Sequence, residues 1–309
     1  MLTEGLIRRG IDVTLYATGD SQTRAVLRSV APRPWSEDSD LEPKVWECLH
    51  IAAVFEEAAS FDLIHNHFDF LPLTYSGLVN TPVLTTIHGF SSPRILPVYR
   101  KYNQRVNYVA ISDADRSPEL DYRATIHHGI PIDNYAYREN ADNYLLFFGR
   151  IHHDKGVYES IRLAKQAGMP LVIAGIIQDQ TYFDRYVAPY LDEEQVRYIG
   201  PVGSGEKGAV LGGARALLHL INFDEPFGLS VAESMACGTP VIAFRRGSMP
   251  ELVIDGITGY LVDDLDQARE ALSRIDKLQR KACRRHVEES FTVELMVDRY
   301  IKVYQDIIN

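Results

Sequence analysis

Two glutamates, Glu225 and Glu233, lie close together in the stretch INFDEPFGLSVAESMACGTPVIAF at residues 221–244. The apolar run before them predicts a strand, DEPFG a loop, and LSVAESMAC a short helix that Gly238 closes before the next strand. In open α/β sheets, ligands bind outside the carboxyl ends of the strands. The pattern therefore places Glu225 on a loop at such an end and Glu233 in the helix that follows.

Each glutamate also has an interpretation that involves no ligand. Ser230 and Glu233 have the S-x-x-E spacing of a capping box, in which the glutamate side chain returns to the N-cap amide. A carboxylate at Glu225 is favoured by the dipole of the helix that begins after it. On spacing alone, capping and ligand binding explain Glu233 equally well.

Two cations belong to a second stretch, FFGRIHHDKG at residues 147–156. A predicted strand ends at Gly149, Arg150 leaves its end, and Lys155 lies where the next helix starts. Arginine offers a planar fork to phosphate oxygens and lysine a compact point charge, which together suit a diphosphate. Two solvated surface cations are the alternative, and they explain Lys155 better than Arg150. The helix after Gly228 adds free amides, which are a second anion-binding element.

Length and composition predict an ordinary globular protein of two domains. The chain has 309 residues, of which 46% are apolar and 24% charged, so it can bury a sizeable core. The net charge of −10 is shared equally between residues 1–140 and 141–309. Neither half has the basic character that nucleic acid requires, so we expect no nucleic-acid partner.

One cluster of cations, Arg94, Arg100, Lys101 and Arg105, could face phosphates or anionic lipid in a weak peripheral membrane contact. A cluster of this size is more typical of a solvated face. The three cysteines are far apart and have no metal-binding or disulfide spacing. No apolar run is long enough for a transmembrane segment, and the first ten residues lack the apolar region of a secretion signal. These features predict a cytoplasmic protein.

Short apolar runs alternate with helical patterns along most of the chain, which predicts an α/β fold with parallel sheets. The predicted strands are residues 11–18, 61–67, 82–88, 106–112, 124–130, 143–149, 170–175, 196–200, 215–222, 240–246 and 259–264. The chain opens with LTEGLIRRG, which has the pattern of a helix closed by Gly10. A doubly wound domain normally opens with a strand, so we expect the first strand and its loop to be missing from the N-terminal domain.

The polar stretch PIDNYAYRENADN, at residues 131–143, predicts the boundary between two Rossmann-like domains. We assign residues 1–139 to the first domain, incomplete at its start, and residues 140–291 to the second. Residues 292–309 are predicted to form an amphipathic helix that packs back on the body. The apolar residues with helical period are Leu295, Met296, Tyr300, Val303, Tyr304 and Ile307.

Taken together with RRGSMPELVIDGITGYLV at residues 245–262, these stretches resemble the signature of glycosyltransferase family 4 enzymes of the GT-B fold. The resemblance extends through LIRRGIDVTLYATGDS, FDLIHNHFD, TTIHG, VAISD and HHGIP, and it is the order and spacing of the motifs that make it specific. It implies two Rossmann-like domains that face a cleft, with residues 1–139 as the acceptor-side domain and residues 140–291 as the donor-binding domain. It also implies transfer of a sugar, with retention of configuration, from a UDP- or GDP-sugar to a carbohydrate, lipid-linked or small-molecule acceptor.

The resemblance implies roles for individual residues. Glu225 matches a glutamate that faces the donor sugar, and Glu233 one that binds the ribose hydroxyls. Arg150 and Lys155 match cations that hold the donor diphosphate, and His88 a histidine of the N-terminal domain that reaches the donor sugar. The remaining donor-binding positions, at the phosphates and the base, are Gly149, Phe227, Gly228, Leu229, Ser230, Ile199 and Val202. No metal or other cofactor is implied, because fixed cations can replace a divalent ion.

Three other motifs are weaker candidates for a functional or structural role. GPVGSGEKG, at residues 200–208, approaches a phosphate-binding P-loop but has Glu206 where that motif requires lysine. His65, His67 and Asp69 could be misread as metal ligands, although strand-end histidines of the family are more often core or acceptor-side residues. Ser112 and Asp113 are predicted to cap a helix.

Two alternatives to an active transferase stay open. The expected loss of the first strand favours a truncated or inactive nucleotide-sugar-binding protein of the same fold. An epimerase or phosphorylase that shares the GT-B fold is the second alternative. The sequence shows no lysine setting suited to the cofactor of a phosphorylase.

Overall fold

The computed structural model describes residues 1–34, 40–90 and 93–309. By their internal contacts these residues form two units. The first unit comprises residues 1–111, 116–129 and 293–309, and the second comprises residues 112–115 and 130–292.

Helices and strands alternate one by one in the second unit, whereas in the first unit α-helices separate pairs of strands. The α-helices of the described residues are α1 (Leu2–Arg8), α2 (Pro43–Glu56), α3 (Leu96–Tyr102), α4 (Val157–Ala167), α5 (Gln180–Tyr186), α6 (Ser204–Gly213), α7 (Leu229–Ala236), α8 (Met249–Leu252), α9 (Leu265–Ser273), α10 (Arg280–Ser290) and α11 (Val293–Ile308). The strands are β1 (Thr14–Tyr16), β2 (Val26–Arg28), β3 (Ile64–Asn66), β4 (Val83–Ile87), β5 (Val106–Ala110), β6 (Tyr122–Thr125), β7 (Leu145–Phe148), β8 (Leu171–Ala174), β9 (Val196–Tyr198), β10 (Ala216–His219), β11 (Val241–Phe244) and β12 (Gly259–Val262).

All eleven predicted strands are present, each shorter than its apolar run, and the α/β fold with parallel sheets is confirmed. The strand predicted at residues 124–130 forms earlier, as β6. Strand β2 was not predicted, because it has only three residues and two of them are exposed. No helix among the described residues combines the length and the apolarity needed to cross a membrane.

The second unit contains one six-stranded sheet in the order β9-β8-β7-β10-β11-β12, with every neighbouring pair parallel. This is the doubly wound arrangement, in which the chain starts at the centre and the strand order reverses between β7 and β10. Ligands of such sheets bind where the order reverses, because the loops after the two central strands leave to opposite faces. The loops after β7 and β10 therefore define the place to search for a site.

The first unit contains a parallel pair, β1-β2, and a separate parallel sheet in the order β3-β4-β5-β6. Within the described residues, β1 and β3 are not paired with each other. Helix α11 packs on this unit and buries Met296, Tyr300, Val303 and Tyr304 of the predicted apolar face. It shares a core cluster with Leu6 of α1 and with residues of β4 and β5.

The main segment of the second unit begins at residue 130, earlier than the boundary that was predicted after residue 139. Tyr135 is 7% exposed, and the amide of Arg138 donates to the carbonyl of Cys237 over 3.0 Å. Residues 130–139 therefore belong to the second unit. A polar composition marked this stretch as a linker, but its side chains pack against α7.

Ser112 and Asp113 do not cap a helix, so that prediction is wrong. Residues 112–115 form a turn in which the Ser112 hydroxyl accepts from the amide of Asp115 over 3.1 Å. The carboxylate of Glu251 accepts from the amides of Asp113 and Ala114 over 2.9 and 2.8 Å. The serine satisfies a local amide, as the sequence suggested, but the chain turns into the second unit instead of starting a helix.

Candidate functional site

Lys155 and Glu225 form an ion pair beside the two central strands of the second unit. The Nζ atom of Lys155 lies 2.6 Å from Oε2 of Glu225, and their side chains are only 15% and 14% exposed. Lys155 also lies over the ring of Phe223, 4.5 Å from its centroid. The ammonium is thus held in a largely desolvated place, where charge interactions are stronger than in water.

A close backbone approach positions Lys155. Gly156 follows it with φ of 73° and is the N-cap of α4. A Cβ atom on Gly156 would lie 1.8 Å from the carbonyl oxygen of Leu220. Only glycine allows the start of α4 to approach the end of β10 this closely, and this approach brings Lys155 to Glu225.

His219, the last residue of β10, belongs to the same group and was not predicted from the sequence. Its Nε2 atom lies 3.7 Å from Oε2 of Glu225 and has no hydrogen-bond partner among the described residues. Burial lowers the pKa of His219 to about 4, with Lys155 acting in the same direction and Glu225 against it. A histidine in the middle of the apolar stretch ALLHLI, at residues 216–221, was the available signal.

Glu233 is buried and bound by two partners distant in sequence. It is 8% exposed, and its Oε1 accepts from the Tyr135 hydroxyl over 2.7 Å and from Lys207 Nζ over 2.6 Å. Burial, followed by the neighbouring carboxylate, raises the pKa of Tyr135. The sequence predicted neither partner, although Lys207 belongs to the stretch GPVGSGEKG that approaches a P-loop.

The capping-box interpretation of Glu233 is wrong. Helix α7 has Gly228 as its N-cap, with φ of 91°, and no side chain caps it. Ser230 therefore lies inside the helix, two residues after the N-cap position at which the S-x-x-E box requires its serine. The carboxylate of Glu233 serves the ion pair with Lys207 and the hydrogen bond from Tyr135.

Arg150 follows the end of β7 and has a different partner from Lys155. Its guanidinium donates to Oε1 of Gln178 and is exposed. Gly149, directly before it, is in close contact with β8, because a Cβ on Gly175 would lie 1.8 Å from the Gly149 carbonyl. Arg150 is thus free of any carboxylate contact in the described residues, whereas Lys155 is neutralised by Glu225.

The predicted backbone positions surround the start of α7 and the end of β9. Phe227 is buried, and its carbonyl accepts from the Ser248 hydroxyl over 2.6 Å. Leu229 and Ile199 are each 43% exposed, and Ser230 and Val202 are half-buried. The exposed apolar side chains are available to contact a ligand.

His88 lies in the first unit, after β4, within a group of histidines. Its Nε2 is 2.9 Å from Nδ1 of His67, and its ring stacks on His128 with centroids 5.2 Å apart and planes 8° from parallel. His65 contacts the Tyr304 hydroxyl over 2.7 Å and the Thr86 hydroxyl over 2.8 Å. The role of His88 towards a donor sugar stays a prediction.

Burial lowers the pKa values of these histidines, to about 4 for His128 and well below the usual value for His65. Asp69, considered with His65 and His67 as a metal ligand, instead accepts from the Tyr99 hydroxyl over 2.5 Å. Hydroxyl groups therefore contact both His65 and Asp69.

A different group, His152, His153 and Asp154, has three potential metal-ligand atoms within 4.8 Å of one another. The side-chain contacts of these residues are local. Asp154 lies 2.7 Å from Nε2 of His153, and its amide donates to Nδ1 of His152. His152 caps the short 3₁₀ turn His153–Lys155 that precedes α4.

The basic cluster predicted as a possible anion-binding face is largely used within the first unit. Arg105 donates to the carbonyls of Ser76 and Val79 over 2.5 and 2.6 Å, and Arg100 pairs with Glu119 over 2.7 Å. These contacts explain two of the four cations by the stability of the unit itself.

Comparison with known proteins matches both parts of the chain to glycosyltransferases. Residues 136–289 match the family described as "Glycosyl transferases group 1", and residues 1–117 match "Glycosyltransferase Family 4". The D-inositol 3-phosphate glycosyltransferase of Mycolicibacterium smegmatis is 24% identical over 97% of this chain and 84% of that enzyme. An uncharacterized 41.2 kDa protein of the cps region of Klebsiella pneumoniae is 30% identical over 56% of this chain, which spans about half (48%) of that protein.

Solved structures share the fold at low identity. The sucrose-phosphate synthase of Thermosynechococcus elongatus has a TM-score of 0.79 at 20% identity, covering 99% of this chain and 91% of that one. AviGT4, a glycosyltransferase involved in avilamycin A biosynthesis, has a TM-score of 0.70 at 22% identity, with coverages of 99% and 88%. HepE of Anabaena, solved in complex with UDP, has a TM-score of 0.72 at 18% identity, with coverages of 91% and 86%.

Two Rossmann-like units with parallel sheets, and their likeness to these structures, define a protein of the GT-B fold. With both family matches in their expected order along the chain, it belongs to the family 4-like glycosyltransferases of that fold.

Proposed function

We propose that the chain transfers a sugar from a nucleotide-sugar donor to an acceptor hydroxyl, with retention of the anomeric configuration and without a metal ion. The observation that carries this proposal is the Lys155–Glu225 ion pair, held beside the point where the strand order of the second unit reverses. It combines a cation suited to a leaving diphosphate with a carboxylate suited to a sugar.

The chemistry of transfer requires such a division of charge. Breaking a glycosyl–phosphate bond builds negative charge on the diphosphate and positive character on the sugar ring. Preorganised cations and amides stabilise the first, and a carboxylate stabilises the second. In the proposal, Arg150, Lys155 and the amides of α7 bind the diphosphate, and Glu225 faces the sugar.

The nucleoside part of the donor is proposed to bind at Glu233 and around Ile199 and Val202. Glu233 accepts from the ribose hydroxyls, and its hydrogen bonds from Lys207 and Tyr135 fix its orientation. The UDP complex of HepE favours a UDP-sugar over a GDP-sugar as the donor. A contact of His88 with the donor sugar is part of the proposal, as is a carbohydrate, lipid-linked or small-molecule acceptor.

Nucleotide binding tests the donor half of this proposal. UDP, GDP, ADP and their sugar conjugates are titrated calorimetrically into the full chain in EDTA. We expect one nucleotide to bind, with affinity reduced at least tenfold by Glu233→Ala and unchanged by Glu206→Ala, the same change at an exposed glutamate on α6. If no nucleotide binds to the folded chain, the proposal is wrong.

Transfer tests the catalytic half. Glu225→Gln and Arg150→Ala should each lower the rate of sugar transfer, or of donor hydrolysis, by about 100-fold, because each removes charge that matches the transition state. Added Mg²⁺ should change neither rate nor affinity. Donor binding without transfer would favour the alternative of an inactive nucleotide-sugar-binding protein.

A further inference from the structure

His219 is a buried polar residue with an unused donor or acceptor at the centre of the second unit. It is 6% exposed, it ends β10 where the strand order reverses, and its Nε2 has no partner among the described residues. Buried polar atoms are almost always hydrogen-bonded, and each exception calls for an explanation. A partner gained in another state of the site is such an explanation.

The geometry identifies that partner. The Nε2 atom of His219 lies 3.7 Å from Oε2 of Glu225, beyond the range of a hydrogen bond. The same oxygen accepts from Lys155 over 2.6 Å. Two potential donors, one charged and one neutral, are therefore aimed at one carboxylate oxygen, and the charged donor occupies it.

A bound diphosphate would change this competition. Its charge attracts the ammonium of Lys155 away from Glu225, whose side chain is only 14% exposed. A buried carboxylate that loses its cation is strongly destabilised unless another donor replaces it. A shift of well under 1 Å brings His219 within hydrogen-bond distance of Glu225.

We propose that His219 is a positioning residue that takes over Glu225 as its hydrogen-bond partner when a nucleoside diphosphate draws Lys155 away. The inference rests on the proposed function. It assigns His219 no contact with substrate: the imidazole holds the carboxylate in place, and the carboxylate faces the sugar.

The exchange requires a neutral imidazole with its proton on Nε2. A neutral histidine carries one N–H and one acceptor nitrogen. Burial and Lys155 keep the ring neutral at physiological pH, against the opposing charge of Glu225. When Lys155 moves to the diphosphate, its opposition is lost, so the pKa of His219 should rise in the complex.

Long-range ¹H–¹⁵N spectra of the histidine side chains in the full, labelled chain test the exchange directly. They are recorded with and without UDP, or with GDP if calorimetry shows that GDP binds instead, and His219 is assigned by its loss in His219→Gln. We expect the Nε2 proton of His219 to move downfield on binding and its pKa to rise. His286, which lies 2.9 Å from the Leu252 carbonyl in the same unit, should not respond.

Two variants separate positioning from a merely structural role. His219→Gln keeps an N–H donor, so nucleotide affinity should stay within threefold of the original. His219→Leu removes the donor together with the unpartnered atom, so the free chain should melt at a higher temperature while nucleotide affinity falls about tenfold. A structural role would lower the melting temperature of the leucine variant and leave its affinity unchanged.

The possible failures are distinguishable. Nucleotide that binds without any change at His219 overturns the inference and leaves the proposed function intact. Absence of binding by the folded chain overturns both. If the leucine variant does not fold, the spectra of the unmodified chain still decide the matter.

Discussion

The strand ends of the two units carry polar groups of different kinds. In the second unit, the ends of β7 and β10 are followed by the ion pair Lys155–Glu225, held by a glycine-dependent backbone approach. In the first unit, the ends of β3 and β4 carry His67 and His88 in a group of neighbouring histidines. The histidine group of the first unit suits an uncharged polar ligand, whereas the ion pair of the second unit can exchange one partner for an anion.

The largest effect is expected from the backbone approach in the second unit. Gly156→Ala places a Cβ at 1.8 Å from a backbone carbonyl, at φ of 73°, and should lower the free energy of unfolding by about 4 kcal/mol. Gly168→Ala, at φ of 64° with nothing within 4 Å, should cost only about 1 kcal/mol. Urea denaturation measures both, and equal losses would contradict the close approach.

The next largest difference between the two units is expected in how their stability depends on pH. The pKa of His128 is about 4 when folded, against 6.5 when unfolded. As the pH falls, the unfolded chain therefore binds a proton at His128 before the folded chain does. The stability that neutral His128 contributes is fully present above pH 6.5 and is lost as the pH falls towards 4. For His128 the loss amounts to about 2 kcal/mol by pH 5, and His65 acts in the same direction.

Groups of the second unit partly oppose one another over this range. Burial and Glu251 raise the pKa of Asp115 to about 7, so its protonation stabilises the folded state as the pH falls below 7, while His219 acts in the opposite sense. Hydrogen exchange at pH 7 and 5, corrected for the intrinsic exchange rate, should show a larger loss of protection in β4 and β5 than in β10. In His128→Gln the difference should shrink.

The ion pair itself should show a moderate coupling. A double-mutant cycle with Lys155→Met and Glu225→Gln should give about 1–2 kcal/mol of interaction free energy, because both side chains are largely buried. The matched cycle for Arg100 and Glu119, which are 52% and 44% exposed in the first unit, should give less than about 0.5 kcal/mol. Similar interaction free energies for the two pairs would contradict the proposed electrostatic difference between the units.

The smallest effect concerns the start of α7. Ser230→Ala should change stability by less than about 0.5 kcal/mol, because Ser230 does not cap the helix. Asp264→Ala removes a side chain that caps α9 by accepting from Gln267 over 2.8 Å, and should cost about 1 kcal/mol. If Ser230→Ala lowered stability more than Asp264→Ala does, the result would support the capping-box interpretation of Ser230 and Glu233.

Periodicity and turn residues were sufficient to predict the strands and the parallel α/β fold, because both signals are local. Side-chain partners were not predictable in the same way. The two partners of Glu233 lie 26 and 98 residues away, and no local pattern encodes a contact over such distances. The capping box failed for a local reason: Gly228 adopts the left-handed conformation and starts the helix two residues earlier than Ser230 would.

Helix α11 closes the core of the first unit, although the whole of residues 130–292 is made between that unit's sheet and this helix. During synthesis at about 5–20 residues per second, roughly 10 to 30 seconds pass before Val293 follows Gly129. The apolar residues of β4 and β5 that α11 covers in the folded protein remain without this helix for that interval. The unit whose synthesis begins first is therefore also the one whose last element is synthesised last, and its core stays incomplete while the second unit is made.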